Sequence, residues 1–312
     1  MKIDYDAIVQ ASTKISAHIN TTPVLTSSAL DELTGAALFF KAEHLQKVGA
    51  FKARGAINAV LNLELSERVN GVATHSSGNH GAALARAAKI VGIPAYIVVP
   101  NNANEIKKAA ILSYGGVVIE CESTLEAREE MLAQVIDKHN AMPIPPYDHE
   151  DIIVGQGTAA LELLRQVPSL TRLVIPVGGG GLLAGSSIAA MQTESIQVYG
   201  AEPAAADDAY RSFQSGIRVK SHTPHTIADG LRTTLGELNF EIIKDNVTDI
   251  LLVTEEEITD AMKLLWTRLK QVVEPSAAVT LAAVIRYPEL FNNERVGIML
   301  TGGNIDPDNL PF

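Results

Sequence analysis

Lys52 sits in Gly49-Ala50-Phe51-Lys52-Ala53-Arg54-Gly55-Ala56, among small and apolar residues at the start of a helical pattern. Burial disfavours the ammonium form, so a lysine in such surroundings gives up its proton more readily. The free amine can then form a Schiff base with an aldehyde. Three other segments offer groups that bind anions or ligands. Gly178-Gly179-Gly180-Gly181 follows the apolar run Leu173-Val174-Ile175-Pro176-Val177 and precedes a helical run from Leu182. Strand, glycine loop and helix together present bare N–H groups and a helix dipole to a phosphate. The run has neither a Walker lysine nor GxGxxG spacing, which disfavours a nucleotide there. Four successive glycines cost chain entropy on folding, which favours a phosphate cradle over a plain turn. Ser76-Ser77-Gly78-Asn79-His80-Gly81 joins hydroxyls, an amide and main-chain donors at a helix start, a set that suits a substrate carboxylate, although Ser and Asn are also ordinary helix caps. Leu300-Thr301-Gly302-Gly303-Asn304 puts Thr301 at the carboxyl end of an apolar strand, where α/β proteins bind ligands.

The elements that must position these groups alternate along the chain. Strand-like runs are expected at 71–74, 95–99 and 117–120, with helices beginning near Gly78, Asn104 and Thr124. Further strands are expected at 173–177, 198–201, 250–253 and 296–300, again with helices between them. That alternation predicts an α/β protein with buried parallel sheets. Pro143-Ile144-Pro145-Pro146 is the clearest punctuation. It suggests a small lobe over 71–148 inserted into a large lobe built from 1–70 and 149–312.

Composition narrows the function. The 312 residues are 46% apolar and 20% charged, a globular balance. A net charge of −11 argues against nucleic acid as a partner, since phosphate backbones need a basic footprint. Cys121 is the only cysteine, which excludes an intramolecular disulfide, and it reads as a buried inert thiol. No signal-peptide pattern opens the chain and no apolar run is long enough to span a bilayer, so a cytoplasmic protein without membrane contact is expected. His44, His75, His139, His149, His222 and His225 are scattered without metal-ligand spacing and receive no role.

In order along the chain, GAFKARGA, SSGNHG, GGGGLLAG and TGGN resemble the fold-type II pyridoxal-phosphate enzymes, closest to the serine racemase and serine/threonine dehydratase group. Thr22-Pro23-Val24-Leu25-Thr26-Ser27-Ser28, Gly155-Gln156-Gly157-Thr158, Ile227-Ala228-Asp229-Gly230 and Val273-Glu274-Pro275-Ser276 extend the resemblance over nearly the whole chain. It implies two lobes, each with a mostly parallel sheet flanked by helices, and a homodimer. It makes Lys52 the lysine bonded to pyridoxal 5'-phosphate and a proton carrier at the substrate α-carbon. Phe51 should pack near the cofactor ring, with Asn79 on its hydroxyl and Glu274 in the same site. Gly178, Gly179, Gly180, Gly181 and Leu182 should hold its phosphate, and Thr301 should face its ring nitrogen. A neutral hydroxyl there cannot stabilise a protonated ring as an aspartate would, so the ring is a weaker electron sink and β-elimination is favoured.

Elimination of water from L-serine or L-threonine gives a 2-oxo acid and ammonia. Racemisation needs a second proton carrier opposite Lys52, and Ser77 matches the serine of the racemases. Ser77 equally suits a carboxylate ligand, and both readings stand. The resemblance assigns Ser76, Ser77, Gly78, Asn79 and His80 to the substrate carboxylate, with Arg128 closing the small lobe. The Glu126-Ala127-Arg128-Glu129-Glu130 setting of Arg128 favours a solvated helix face with local ion pairs instead. Glu202, Asp208 and the Ala206 carbonyl match a site for Mg2+, Mn2+ or Ca2+. Ser27, Ser28, Lys47, Lys107 and Tyr114 match an ATP site of eukaryotic members, but Val48 and Ala50 depart from its usual threonine and serine. Dehydration of L-threo-3-hydroxyaspartate is the competing activity, and it requires a further cationic group. A ligand-binding regulatory protein without catalysis is the alternative of another class, opposed by an intact Lys52.

Overall fold

The alternating pattern folds into ten strands in two sheets, in a computed structural model that describes residues 3–103, 105–193 and 195–312. The strands are β1 (Val24–Leu25), β2 (Ala37–Lys41), β3 (Val72–His75), β4 (Ala95–Pro100), β5 (Val117–Cys121), β6 (Met142–Pro143), β7 (Arg172–Pro176), β8 (Gln197–Pro203), β9 (Asp249–Val253) and β10 (Arg295–Met299). One sheet has the order β1-β2-β10-β7-β8-β9 and the other β5-β4-β3-β6. All pairings are parallel except β1 with β2. The two-sheet α/β architecture implied by the resemblance is therefore present. Central strands such as β7, with Leu173, Val174 and Ile175 fully buried, are apolar on both faces because helices cover both sides.

The expected strands appear within a residue or two of their predicted bounds. β1, β2 and β6 are additional to them: β1 and β6 are two residues each, and β6 contains Pro143, which an edge strand tolerates. Helix Asn79–Val91 begins one residue after Gly78. In helix Leu125–His139 Thr124 is the cap, its hydroxyl accepting from the Ala127 N–H at 3.1 Å. The expected start at Asn104 lies outside the described residues.

Two features of the packing bring the chemistry together. Helix Lys52–Asn62 buries Ala53, Ala56, Ile57 and Val60 in the cluster that also holds Val72, Leu84 and Ile97 of the four-stranded sheet and its helix. Burying each such large aliphatic side chain favours folding by about 1.5–3 kcal/mol. The turn before that helix is clamped to the far end of the chain: the Phe51 N–H donates to the Thr301 carbonyl at 3.0 Å and the Gly303 N–H to the Gly49 carbonyl at 3.0 Å. The end of β10 thus sets where Lys52 begins its helix.

The helix is also pinned by charge. Arg54 is fully buried, donating from Nε and Nη2 to the two oxygens of buried Glu43 at 2.7 Å each. It also contacts Glu162, which pairs with buried Lys41 at 2.5 Å. Burial alone would depress the Arg54 guanidinium, but the two carboxylates together raise it above its ordinary value.

Candidate active site

Lys52 opens its helix, and its Nζ donates to the Pro146 carbonyl at 2.7 Å. Pro146 lies on the proline-rich crossing that leaves β6, so both segments reach the same point. Lys52 Nζ lies 5.1 Å from the centre of the Phe51 ring. Its surface is only partly exposed, and protein surrounds it densely enough that burial pulls its pKa down to about 8, against an opposing pull from Glu274. The unusual acidity expected from the sequence is therefore present.

Glu274 precedes helix Pro275–Arg286, and its own N–H donates to the Gly302 carbonyl at 3.0 Å. A Cβ on Gly302 would stand 2.4 Å from Glu274 Oε1, so the approach requires glycine. Asn79 Nδ2 donates to both Glu274 oxygens, at 2.9 and 3.2 Å, and Asn79 Oδ1 accepts from Asn304 Nδ2 at 2.8 Å. Burial, then the charge of Asp229, raises the Glu274 carboxyl to about 7. Thr301 is nearly buried at the end of β10. Asn304 is a participant that sequence reasoning missed; only its place in the TGGN run could have signalled it.

Gly178, Gly179, Gly180 and Gly181 are all buried, and helix Gly181–Ala190 starts within the run rather than at Leu182. Gly180 has φ +93°, a conformation that side-chain-bearing residues avoid. Among the described residues, the N–H groups of Gly178, Gly179, Gly180, Gly181 and Leu182 donate to no protein group. A row of free amides at a helix N-terminus is the donor set of an anion cradle, and it fits a phosphate. The Gly179 carbonyl is held by Asn239 Nδ2 at 2.7 Å and by the Gly236 N–H at 3.1 Å. The Tyr147 ring lies so close that a Cβ on Gly179 would be 2.2 Å from its Cγ. Asn239 and Tyr147 carried no motif in the sequence.

Ser76, Ser77 and Gly78 form the loop between β3 and helix Asn79–Val91, all half-buried. The Gly78 N–H leans on Ser76 Oγ at 3.4 Å. His80 is buried, its Nε2 3.0 Å from the Ile144 carbonyl and its Nδ1 without a hydrogen bond. Burial, then the charge of Lys52, pushes its pKa down to about 3, which keeps the imidazole neutral. Arg128 makes none of the ion pairs expected of a solvated helix face among the described residues. It donates from Nε to the Thr124 carbonyl at 3.1 Å. Its charge, after burial, helps depress His75, the residue before Ser76.

Glu202 and Asp208 are fully buried. The Glu202 oxygens accept from the Ala209 and Tyr210 N–H groups at 3.0 and 2.8 Å, and Asp208 Oδ2 accepts from the Leu235 N–H at 2.7 Å. Burial, then the neighbouring Asp208 charge, holds Glu202 well above the usual carboxylate range. Two adjacent buried acids with spare lone pairs suit a hard cation. Among the described residues, however, no three His, Cys, Asp or Glu side chains already stand in a metal-ligand array.

The nucleotide candidates are dispersed in role. Ser28 and Lys47 are exposed, Ser27 and Tyr114 half-buried, and the Lys107 ammonium pairs with Asp229. Cys121 is buried and free, with burial raising its thiol, as an inert residue should be. Among the described residues no helix is long and apolar enough to cross a membrane.

A family model described as pyridoxal-phosphate dependent enzyme matches residues 15–302. The chain is 49% identical to a serine racemase of Dictyostelium discoideum over 305 residues, covering 96% of this chain and 94% of the relative. It is 46% identical to a beta-hydroxyaspartate dehydratase of Paracoccus denitrificans over 309 residues, covering 99% and 98%. The structure of a processed threonine deaminase isoform from Solanum lycopersicum superimposes with a TM-score of 0.91 at 31% identity, covering 98% of this chain and 86% of that one.

Proposed function

This chain belongs to the pyridoxal-phosphate dependent enzymes, and on that premise we propose that it is a serine/threonine ammonia-lyase, a serine racemase, or both. The supporting observation is the Lys52 amine with its pKa drawn to about 8 beside the charge of Glu274, which Asn79 holds, together with the free amides of the glycine loop. Bound pyridoxal phosphate supplies an aldehyde for that amine and a ring that withdraws charge from the substrate α-carbon.

The protein's own part is to bind, orient and move protons. Gly178 to Leu182 amides hold the phosphate and Asn79 orients the ring hydroxyl. Buried Thr301 would offer the ring nitrogen a neutral group, which favours elimination. The loop of Ser76, Ser77, Gly78, Asn79 and His80 takes the substrate carboxylate, and neutral His80 adds no charge to it. Lys52 Nζ would accept the α-proton and pass it to the departing β-hydroxyl, which leaves as water. The enamine so formed takes up one water to give the 2-oxo acid and ammonia. In racemisation the Ser77 hydroxyl returns a proton to the opposite face. The segment 71–148 is read as a lobe that closes over the substrate, in a cytoplasmic homodimer.

A cation, Mg2+ or a related ion, is assigned to Glu202, Ala206 and Asp208 as a structural element. Nucleotide activation is disfavoured, because the Lys107 ammonium is spent on Asp229 and Val48 and Ala50 replace the usual residues. Dehydration of 3-hydroxyaspartate is the second reading, with Arg128, whose charge acts on His75 beside the serine loop, as the candidate cationic group for its second carboxylate.

The test is a substrate panel of L-serine, D-serine, L-threonine and the 3-hydroxyaspartate isomers, followed by 2-oxo acid release and the chirality of recovered amino acid. A protein with no visible cofactor band, and no cofactor trapped on Lys52 by borohydride, would end the enzyme reading.

A further inference from the structure

His222 has no role in the sequence motifs, yet it faces Asp208. Its side chain is 6% exposed, and Nε2 lies 3.3 Å from Asp208 Oδ1, itself fully buried. Neither atom has a hydrogen bond, so the pair is close but off the line along which an N–H would donate. The remaining polar atoms are already committed. Asp208 Oδ2 accepts from the Leu235 N–H, and His222 Nδ1 lies 3.4 Å from Thr234 Oγ1, a hydroxyl that can orient the ring. With the ring proton on Nδ1, donated toward Thr234 Oγ1, His222 Nε2 turns a lone pair toward Asp208 Oδ1 with no donor between them.

Such an arrangement is costly unless a cation occupies the vertex. Two ligands each about 2.1 Å from one ion, at roughly 90–109°, stand about 3.0–3.4 Å apart, which matches the spacing found. The His225 N–H donates to the Ala205 carbonyl at 2.9 Å, tying the His222 segment to the turn that carries Ala206.

We propose that His222 Nε2 is a ligand of the divalent cation held by Asp208 and the Ala206 carbonyl beside Glu202, and that it shifts the site toward Mn2+ and similar transition ions. An imidazole nitrogen favours transition ions over Ca2+ and Mg2+, which prefer oxygen alone. Glu202, with its oxygens turned to main-chain N–H groups, contributes through its spare lone pairs or through water. The position has a consequence for the cofactor site. Thr234 contacts His222, Leu235 contacts Asp208, and the next residue, Gly236, holds the Gly179 carbonyl. A filled cation site braces the wall behind the glycine loop.

The inference rests on the cation assignment made above, and the experiment separates the two. Holoenzyme stripped with a chelator is titrated with Mn2+, Mg2+ and Ca2+, and the Mn2+ form is examined by pulsed electron paramagnetic resonance for coupling to a ligating 14N. Imidazole coupling is expected in the unmodified protein and lost in His222→Ala, with Mn2+ affinity falling about tenfold or more and Ca2+ affinity nearly unchanged. Bound Mn2+ without nitrogen coupling would make His222 and Asp208 a simple ion pair and overturn the proposal. Equal weakening of all three ions would do the same. Binding of no cation at all removes the cation assignment together with it. The unmodified protein's spectrum decides the matter even if the variant does not fold.

Discussion

The acidity of Lys52 can be tested without any turnover. An ordinary lysine of pKa 10.5 is deprotonated at pH 7 in about 0.03% of molecules, whereas one near 8 is deprotonated in about 10%, a gain of roughly 300-fold. Burial produces the shift and Glu274 opposes it. Glu274→Gln removes the opposing charge while preserving the shape next to Gly302, so the Lys52 midpoint should fall further. In cofactor-free protein, reductive methylation with formaldehyde from pH 6 to 10, read by mass spectrometry of the Lys52 peptide, reports the amine directly. The rate should rise with pH around a midpoint near 8, and around a lower one in Glu274→Gln. A midpoint above 9.5, or an upward shift in the variant, would refute the reasoning.

Five further outcomes follow. Because native Lys52 releases its proton near pH 8 and the unfolded chain near 10.5, the unfolded state binds more protons in that window, and stability of the cofactor-free protein to urea should climb from pH 8 to 10.5. Glu274, raised to about 7, acts oppositely: native protein binds more protons from about pH 4.5 to 7, so its contribution fades as pH rises through that window. Arg54→Met leaves buried Glu43 uncompensated and should cost about 3–5 kcal/mol in denaturant unfolding, and a loss under about 1 kcal/mol would contradict the buried network. Gly179→Ala drives a methyl into the Tyr147 ring and should weaken cofactor retention, read by dialysis and the visible band, while far-ultraviolet circular dichroism stays the same. Ser77→Ala should abolish interconversion of L- and D-serine and leave ammonia release from L-serine; equal loss of both would make Ser77 a carboxylate ligand only.

Much of the site was legible because its motifs are local. A strand followed by glycines and a helix is written in consecutive residues, so the anion cradle at Gly178 to Leu182 and the Ser76–His80 loop could be placed from spacing alone. Lys52 was recognisable as a perturbed amine because its immediate neighbours are small and apolar. Arg128 and Lys107 were harder. Each sits among charged helix residues, and nothing local says that the Arg128 charge acts on His75 or that Lys107 reaches Asp229. The two-residue strands β1 and β6 are too short for a periodic signal.

The sequence by itself determined the kinds of groups available: an amine that burial can deprotonate, bare amides for a phosphate, and an α/β order of elements to carry them. Tertiary structure alone decided which of them meet. Lys52 rests on the Pro146 carbonyl, Asn79 on Glu274, and His222 on Asp208. Sheet order and the crossing between sheets set these pairings over long stretches of chain. The pKa of each group then follows from burial and neighbouring charge, and neither is defined until the chain has folded.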